Sequence, residues 1–262
     1  MQIETINFNE MYIEQKNKTT FQAKNKEAWN NKAPSMNKNI HKSIYNQNFL
    51  NHINLEGINS SLDIGCGVGN LSLLLSKKLQ NVYCLDFSNK MLELLKKNAQ
   101  KEKCTNIKNF NLSWYDAWEN VPKADLVIAS RSMEVKNMQE ALEKLNNQAL
   151  KKVVLSYKVG GSFLSLDILK ALNKKINKKP DYIYILNILY NMGINASLNF
   201  IKSEGRNIGY KNFEDFLISV AWSLGTLNQE EENLLEQYYH SNIKIQKEDT
   251  YVEWAIIAWD KK

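Results

Sequence analysis

Apolar residues recur along this chain in two alternating periods, and the alternation sets out a doubly wound core. From Ser61, "SLDIG" reads as a short strand and "NLSLLLSKKL" as a helix, with Leu71, Leu74, Leu75 and Leu79 at helical spacing. "NVYCLD" is a second strand, and "SNKMLELLKKNAQ" a second helix with Ser88 as its N-cap. "NIKNFNL" and "ADLVIAS" follow as strands three and four, "NMQEALEKLNNQA" as a helix and "KKVVLSYK" as strand five. Regular strand–helix alternation implies parallel strands, right-handed crossovers and helices on both sheet faces.

The two ends of the chain break this rhythm. The first ~25 residues are polar and aperiodic and read as a loosely held arm. "NKEAWNNKAPSMNK" and "IHKSIYNQNFLNHI" then read as two short helices. In the last third, "DYIYILNILYNMG" is a helix closed by Gly193, "ASLNFIKSE" a strand, and "NFEDFLISVAWSLG" and "NQEEENLLEQYYHS" two further helices. "TYVEWAIIAWD" alternates and closes the sheet as an antiparallel strand. The expected division is an N-terminal arm with covering helices over 1–55 and the doubly wound domain over 56–262, with a helical insertion near 210–242.

Composition narrows the class. The chain has 262 residues, 44% of them hydrophobic and 24% charged, as in an ordinary globular protein. No apolar run is long enough to span a membrane, and the N-terminus lacks the pattern of a signal peptide, so a cytoplasmic location is expected. Cys66, Cys84 and Cys104 have no paired spacing, and His41, His52 and His240 form no metal-binding pattern, so no metal is expected. The net charge of +6 is spread out; its densest run, Lys174–Lys179, is too short for a nucleic-acid stripe.

The chemistry concentrates in "LDIGCGVGN", Leu62–Asn70, between the first strand and its helix. Ligands of doubly wound sheets bind at that end of the strands, where helix-start amides are exposed. A dinucleotide fingerprint GxGxxG begun at Gly65 requires a third glycine at Asn70, so it fails; the pattern is instead DxGxGxG, from Asp63 to Gly69. A carboxylate on the loop repels a pyrophosphate but accepts a hydrogen bond from an ammonium group. Asp86, 21 residues after Gly65, ends strand two, where a carboxylate accepts both hydroxyls of a ribose. A ligand with a ribose, a cationic amino-acid end and little phosphate fits S-adenosylmethionine better than NAD.

These two stretches, "LDIGCGVGNLSLLLSK" and "VYCLDFSNKMLELLKKNA", resemble the first two motifs of the class I S-adenosylmethionine-dependent methyltransferases. The resemblance runs from about Ser61 to the final strand. It implies an α/β fold: a Rossmann-like, seven-stranded, mostly parallel sheet with an antiparallel last strand, helices on both faces and an N-terminal helical extension. It places Asp63, Gly65, Cys66, Gly67 and Gly69 under the methionine part of the cofactor, Asp86 on the ribose, and Phe87, Ser88 and Met91 beside the adenosine.

The chain departs from the family at two places. The acid often found after strand three is replaced near Ser113; Ser113, Trp114 or a bent-back Asp116 would take its place at the adenine, or Trp114 is a hydrophobic plug. After strand four, Ser130, Arg131 and Ser132 stand where enzymes acting on amino groups of bases or glutamine carry an Asn/Asp-Pro-Pro-aromatic motif. Ser130 is assigned to the cofactor. Arg131 binds a substrate carboxylate or phosphate, or makes an inter-loop salt bridge. Trp29 and Tyr45 are candidate substrate-side residues, and no catalytic base is evident. The expected reaction is methyl transfer to a small-molecule acceptor. RNA or protein methylation, or S-adenosylmethionine binding without turnover, are the alternatives.

Overall fold

The structure, a computed structural model, describes residues 2–21, 23–38, 40–41, 43–161, 164–204, 210, 212–243 and 251–261. Its seven strands are β1 (Ser60–Ile64), β2 (Asn81–Leu85), β3 (Ile107–Phe110), β4 (Ala124–Ser130), β5 (Ala149–Lys158), β6 (Ser197–Glu204) and β7 (Tyr251–Asp260). They form one sheet in the order β3-β2-β1-β4-β5-β7-β6. Strands β1 to β5 pair in parallel, and β7 runs antiparallel to both β5 and β6. The direction of the sheet order reverses between β1 and β4, which defines the ligand-binding crevice of such sheets.

Alternate residues of the strands feed two cores. Leu126 and Ile128 pack on one face with Val82, Val154 and Ile256, under α3 (Ile44–Leu50), α4 (Ser72–Ser76) and α5 (Asn89–Lys101). Val127 and Ala129 pack on the other with Leu62, Val153 and Ile257, under α1 (Phe8–Lys18), α6 (Met138–Gln148) and α8 (Tyr182–Asn191). This two-sided burial is why Leu126–Ala129 of β4 read as a continuous apolar run rather than an alternating one.

Three features differ from the sequence expectation. The polar start is not a loose arm: Phe8–Lys18 is helical, capped by Asn7, with Tyr12 fully buried and its hydroxyl donating to the Val135 carbonyl at 2.8 Å. One fully buried aromatic residue, with Phe8 and Ile13 partly buried beside it, and several polar contacts dock this helix, so its apolar signal among polar neighbours is weak. The helix after the glycine loop is short, because turns occupy residues 67–71. An additional helix, α7 (Leu166–Ala171), capped by Ser165, precedes α8. It shares a separate apolar cluster with α9 (Phe213–Leu224) and α10 (Gln229–Tyr238), centred on Ile168, Phe216, Val220 and Leu235. Two lysines of the 174–179 run are structural: Lys174 pairs with Glu231, and Lys179 with Glu134 at 2.6 Å.

Candidate active site

The crevice is built around the turn that follows β1. Gly65 has φ +72°, and a Cβ there would stand 2.3 Å from the Cβ of Ser132. The missing side chain lets the loop after β4 close on the loop after β1, and the Ser132 hydroxyl seals the contact by donating to the Ile64 carbonyl at 2.6 Å. The Gly65 amide donates to the Leu85 carbonyl at 2.7 Å, continuing the β1–β2 ladder into the turn. At Gly69 a Cβ would press to 3.1 Å on Leu95 and 3.2 Å on Leu73, so the turn also sits tight against two helices.

The two carboxylates are both buried and differently engaged. Asp86 accepts the Gly67 amide on Oδ2 and the Ser88 amide on Oδ1, each at 2.8 Å. Burial raises its pKa, opposed by these two N–H groups. A carboxylate has about four acceptor positions, so each oxygen can take a further hydroxyl. Asp63 lies beneath the loop, 2% exposed, and its Oδ2 accepts the Ser72 hydroxyl at 2.5 Å. Burial pushes it up to about 7 against that hydrogen bond, and the Asp86 charge adds to the rise. Asp63 therefore ties β1 to the start of α4 and is poised to regain full charge beside a cation.

On the β2–β3 side, Ser88 caps α5 by accepting the Met91 amide, and its hydroxyl donates to Asn30 of α2 (Lys26–Lys38) at 2.6 Å. Met91 and Val68 pack with Ala33 of α2, with Trp29 and Met36 alongside. Phe87 is half-buried, and Cys66 is buried with burial raising its thiol well above the ordinary range. The Asp116 carboxylate accepts both the amide and the hydroxyl of Ser113, at 2.7 and 2.8 Å, so it is turned into its own loop. Trp114 donates from Nε1 to the Ser132 carbonyl at 3.0 Å and lies tilted 5.4 Å from Trp118. It thus bridges the loops after β3 and β4.

On the β4–β5 side, the Tyr45 phenol is fully buried between two serines, 2.8 Å from Ser130 Oγ and 2.5 Å from Ser156 Oγ. Ser156 also accepts the Arg131 amide at 2.9 Å. Arg131 has φ +56°, and its exposed guanidinium lies 4.0 Å above the Tyr45 ring and 5.9 Å from that of Trp254. Trp29 packs beside Met91 and Val68 and meets Trp222 of α9 edge to face at 5.5 Å. His41 pairs with Glu102 at 2.6 Å on the surface.

Sequence reasoning passes over Asn30, Ser156, Trp222 and Trp254, and gives Ser132 no role beyond its departure from the family motif. Ser156 had a visible signal, a hydroxyl inside the apolar run "VVLSYK". The others depend on chain segments that meet only after folding.

Residues 62–152 match the model of a methyltransferase domain. Over 236 residues the chain is 37% identical to an uncharacterized protein of Haemophilus influenzae, across 88% of each chain. A demethylmenaquinone methyltransferase of Leptospira interrogans is 27% identical over 139 residues, 52% of this chain and 51% of the relative. The magnesium protoporphyrin IX methyltransferase of Synechocystis PCC 6803, solved with bound S-adenosylhomocysteine, superimposes across 100% of both chains with a TM-score of 0.52 and 15% identity, a likeness of fold. The 3-2-1-4-5-7-6 sheet is a Rossmann-like fold, with a glycine turn between β1 and α4 and an acid directly after β2. The chain belongs to the class I S-adenosylmethionine-dependent methyltransferases, and S-adenosylmethionine is its methyl donor. Among the described residues no helix is long and apolar enough to cross a membrane.

Proposed function

We propose that this enzyme methylates a small-molecule acceptor and holds its donor in the crevice between the loops after β1 and β2. In this reading Asp86 takes the ribose hydroxyls, Asp63 faces the ammonium end, and Gly65, Cys66, Gly67 and Gly69 line the methionine part. Phe87, Ser88 and Met91 border the adenosine, Ser113 and Trp114 close its far side, and Ser130 fixes the wall next to the reacting end. S-adenosylmethionine supplies an already activated methyl group on a sulfonium. The chain's work is then to align an acceptor atom about 3 Å from that carbon and to exclude water.

The observation that carries the small-molecule reading is the Trp29–Trp222 contact. It joins the N-terminal helix α2 to α9 of the separate helical cluster, next to the α5 start that borders the proposed donor site. Helices of the chain's own two ends thus form a cover, as residues 1–55 and the 210–242 insertion would if they serve as a lid. The Leptospira relative is named for a menaquinone precursor, a small molecule, which supports the same class of acceptor.

The test is incubation with methyl-labelled S-adenosylmethionine and a cell extract separated into metabolites and macromolecules. Label in the metabolite fraction is expected. Label confined to RNA or protein would overturn the reading.

A further inference from the structure

We infer that the acceptor is an anion, carrying a carboxylate or phosphate that docks on Arg131; the inference rests on the small-molecule reading above. The chain meets almost all its need for positive charge with lysine: it has 32 lysines and only two arginines, Arg131 and Arg206. Arg206 lies outside the described residues. Arg131 stands directly after the last residue of β4, between the glycine turn and the end of β5. A guanidinium differs from an ammonium in being planar, stacking on aromatic faces and presenting a fork of donors that matches two oxygens of one anion.

The surroundings hold that plane and leave its edge available. The guanidinium carbon sits 4.0 Å above the Tyr45 ring, with Trp254 5.9 Å away and edge-on to Tyr45. Tyr45 is itself locked by Ser130 and Ser156, and Ser156 fixes the Arg131 backbone as well. Among the described residues, the Arg131 side chain makes no ion pair and no hydrogen bond. The Arg131 charge is felt by Glu204, but that carboxylate is already committed. It accepts the Ser43 hydroxyl at 2.7 Å and the Ile44 amide at 2.6 Å. Burial acts to raise the Glu204 carboxyl, but those two donors and the Arg131 charge hold it below the ordinary glutamate value. Arg131 also keeps a left-handed backbone at φ +56°, a strained conformation of the kind that clusters at ligand-binding sites.

The test begins with the extract, before any reaction. Its metabolites are passed over an anion exchanger at pH 8, and each fraction is assayed for methyl transfer from labelled S-adenosylmethionine. Acceptor activity is expected in the retained fraction. If alkaline phosphatase treatment removes it, the anionic group is a phosphate monoester; if it survives, the group is a carboxylate or a phosphodiester, which a phosphodiesterase added before the phosphatase distinguishes. An acceptor found only in the flow-through overturns the inference while leaving the small-molecule reading in place. Label found only on macromolecules overturns both. With the retained fraction, Arg131→Gln is expected to raise the apparent KM at least tenfold and Arg131→Lys at least threefold. Affinity for S-adenosylhomocysteine should stay within twofold in both variants. An unchanged KM in a folded Arg131→Gln protein would contradict the assignment, and the fractionation decides the matter if that variant fails to fold.

Discussion

Ser132 occupies the space that a side chain at Gly65 would need, its Cβ 2.3 Å from the ideal Cβ position. The loops after β1 and β4 therefore interlock at this point, and Ser132 adds a hydrogen bond to Ile64. Gly65→Ala combines a left-handed strain of about 1–2 kcal/mol with an overpacking cost of about 1–3 kcal/mol. At Gly67 the nearest heavy atom to a Cβ is Met91 Sδ at 3.9 Å, so Gly67→Ala meets the backbone strain alone. Urea unfolding is expected to show the larger loss for Gly65→Ala, with part of it recovered in the Gly65→Ala/Ser132→Gly double variant. Equal losses at the two glycines would mean the interlock is not tight.

Asp63 should make donor binding depend on pH. Its pKa is pushed up to about 7 by burial, so near neutrality a substantial share of the free protein carries it protonated. An ammonium group needs the carboxylate form. Affinity for S-adenosylhomocysteine is therefore expected to rise as pH rises through 7, and to fall by up to about tenfold per pH unit below it. Above pH 7 it levels off until the ligand's own amine loses its proton. Stability of the free protein runs the other way. Between the ordinary aspartate pKa near 3.8 and about 7 the native state binds more protons than the unfolded chain, so Asp63 makes folding less favourable as pH rises through that window. Asp63→Asn should raise the Tm at pH 8, remove the acidic limb from the binding profile and weaken binding above pH 7. A pH-independent affinity in the native protein between pH 5.5 and 7.5 would refute the ammonium assignment.

Tyr12 is the anchor of the N-terminal helix. Its ring is fully buried against the β4–β5 face and meets Tyr184 edge to face at 6.2 Å. Tyr12→Ala is expected to cost about 3–5 kcal/mol, and Tyr12→Phe about 1 kcal/mol for the lost bond to Val135. Hydrogen exchange should show faster exchange at residues 8–18 in the alanine variant. Unaltered protection there would mean that the polar contacts alone hold the helix.

How much of this was legible in the sequence follows from where each signal is stored. β4 and β5 announced themselves, because strands buried on both faces are continuous apolar runs. Ser88 was read as a cap from local chemistry, and it caps α5. The paired acids Asp63 and Asp86 were legible from their spacing to the glycine turn, but not the partners that hold them, Ser72 and the Gly67 and Ser88 amides. The first helix was hidden, since its stability lies in contacts with residues more than a hundred positions away, such as Val135 and Asn137. Asp116 is a candidate for the adenine from its place after strand three; its exposed carboxylate accepts the Ser113 amide and hydroxyl, a local pairing the sequence does not show. Arg131 was legible as a candidate, whereas its stacking on Tyr45 joins residues 86 positions apart and has no local trace.

Calorimetry on the protein and on Asp86→Ala tests the central claim most directly. The native protein should bind S-adenosylmethionine and S-adenosylhomocysteine and give no heat with NAD. Asp86→Ala should weaken both adenosine ligands by roughly tenfold or more, since a hydrogen bond to a charged group contributes about 1.5–3 kcal/mol. Binding of NAD, or an Asp86→Ala variant with undiminished affinity, would contradict the assignment of this crevice to the methyl donor.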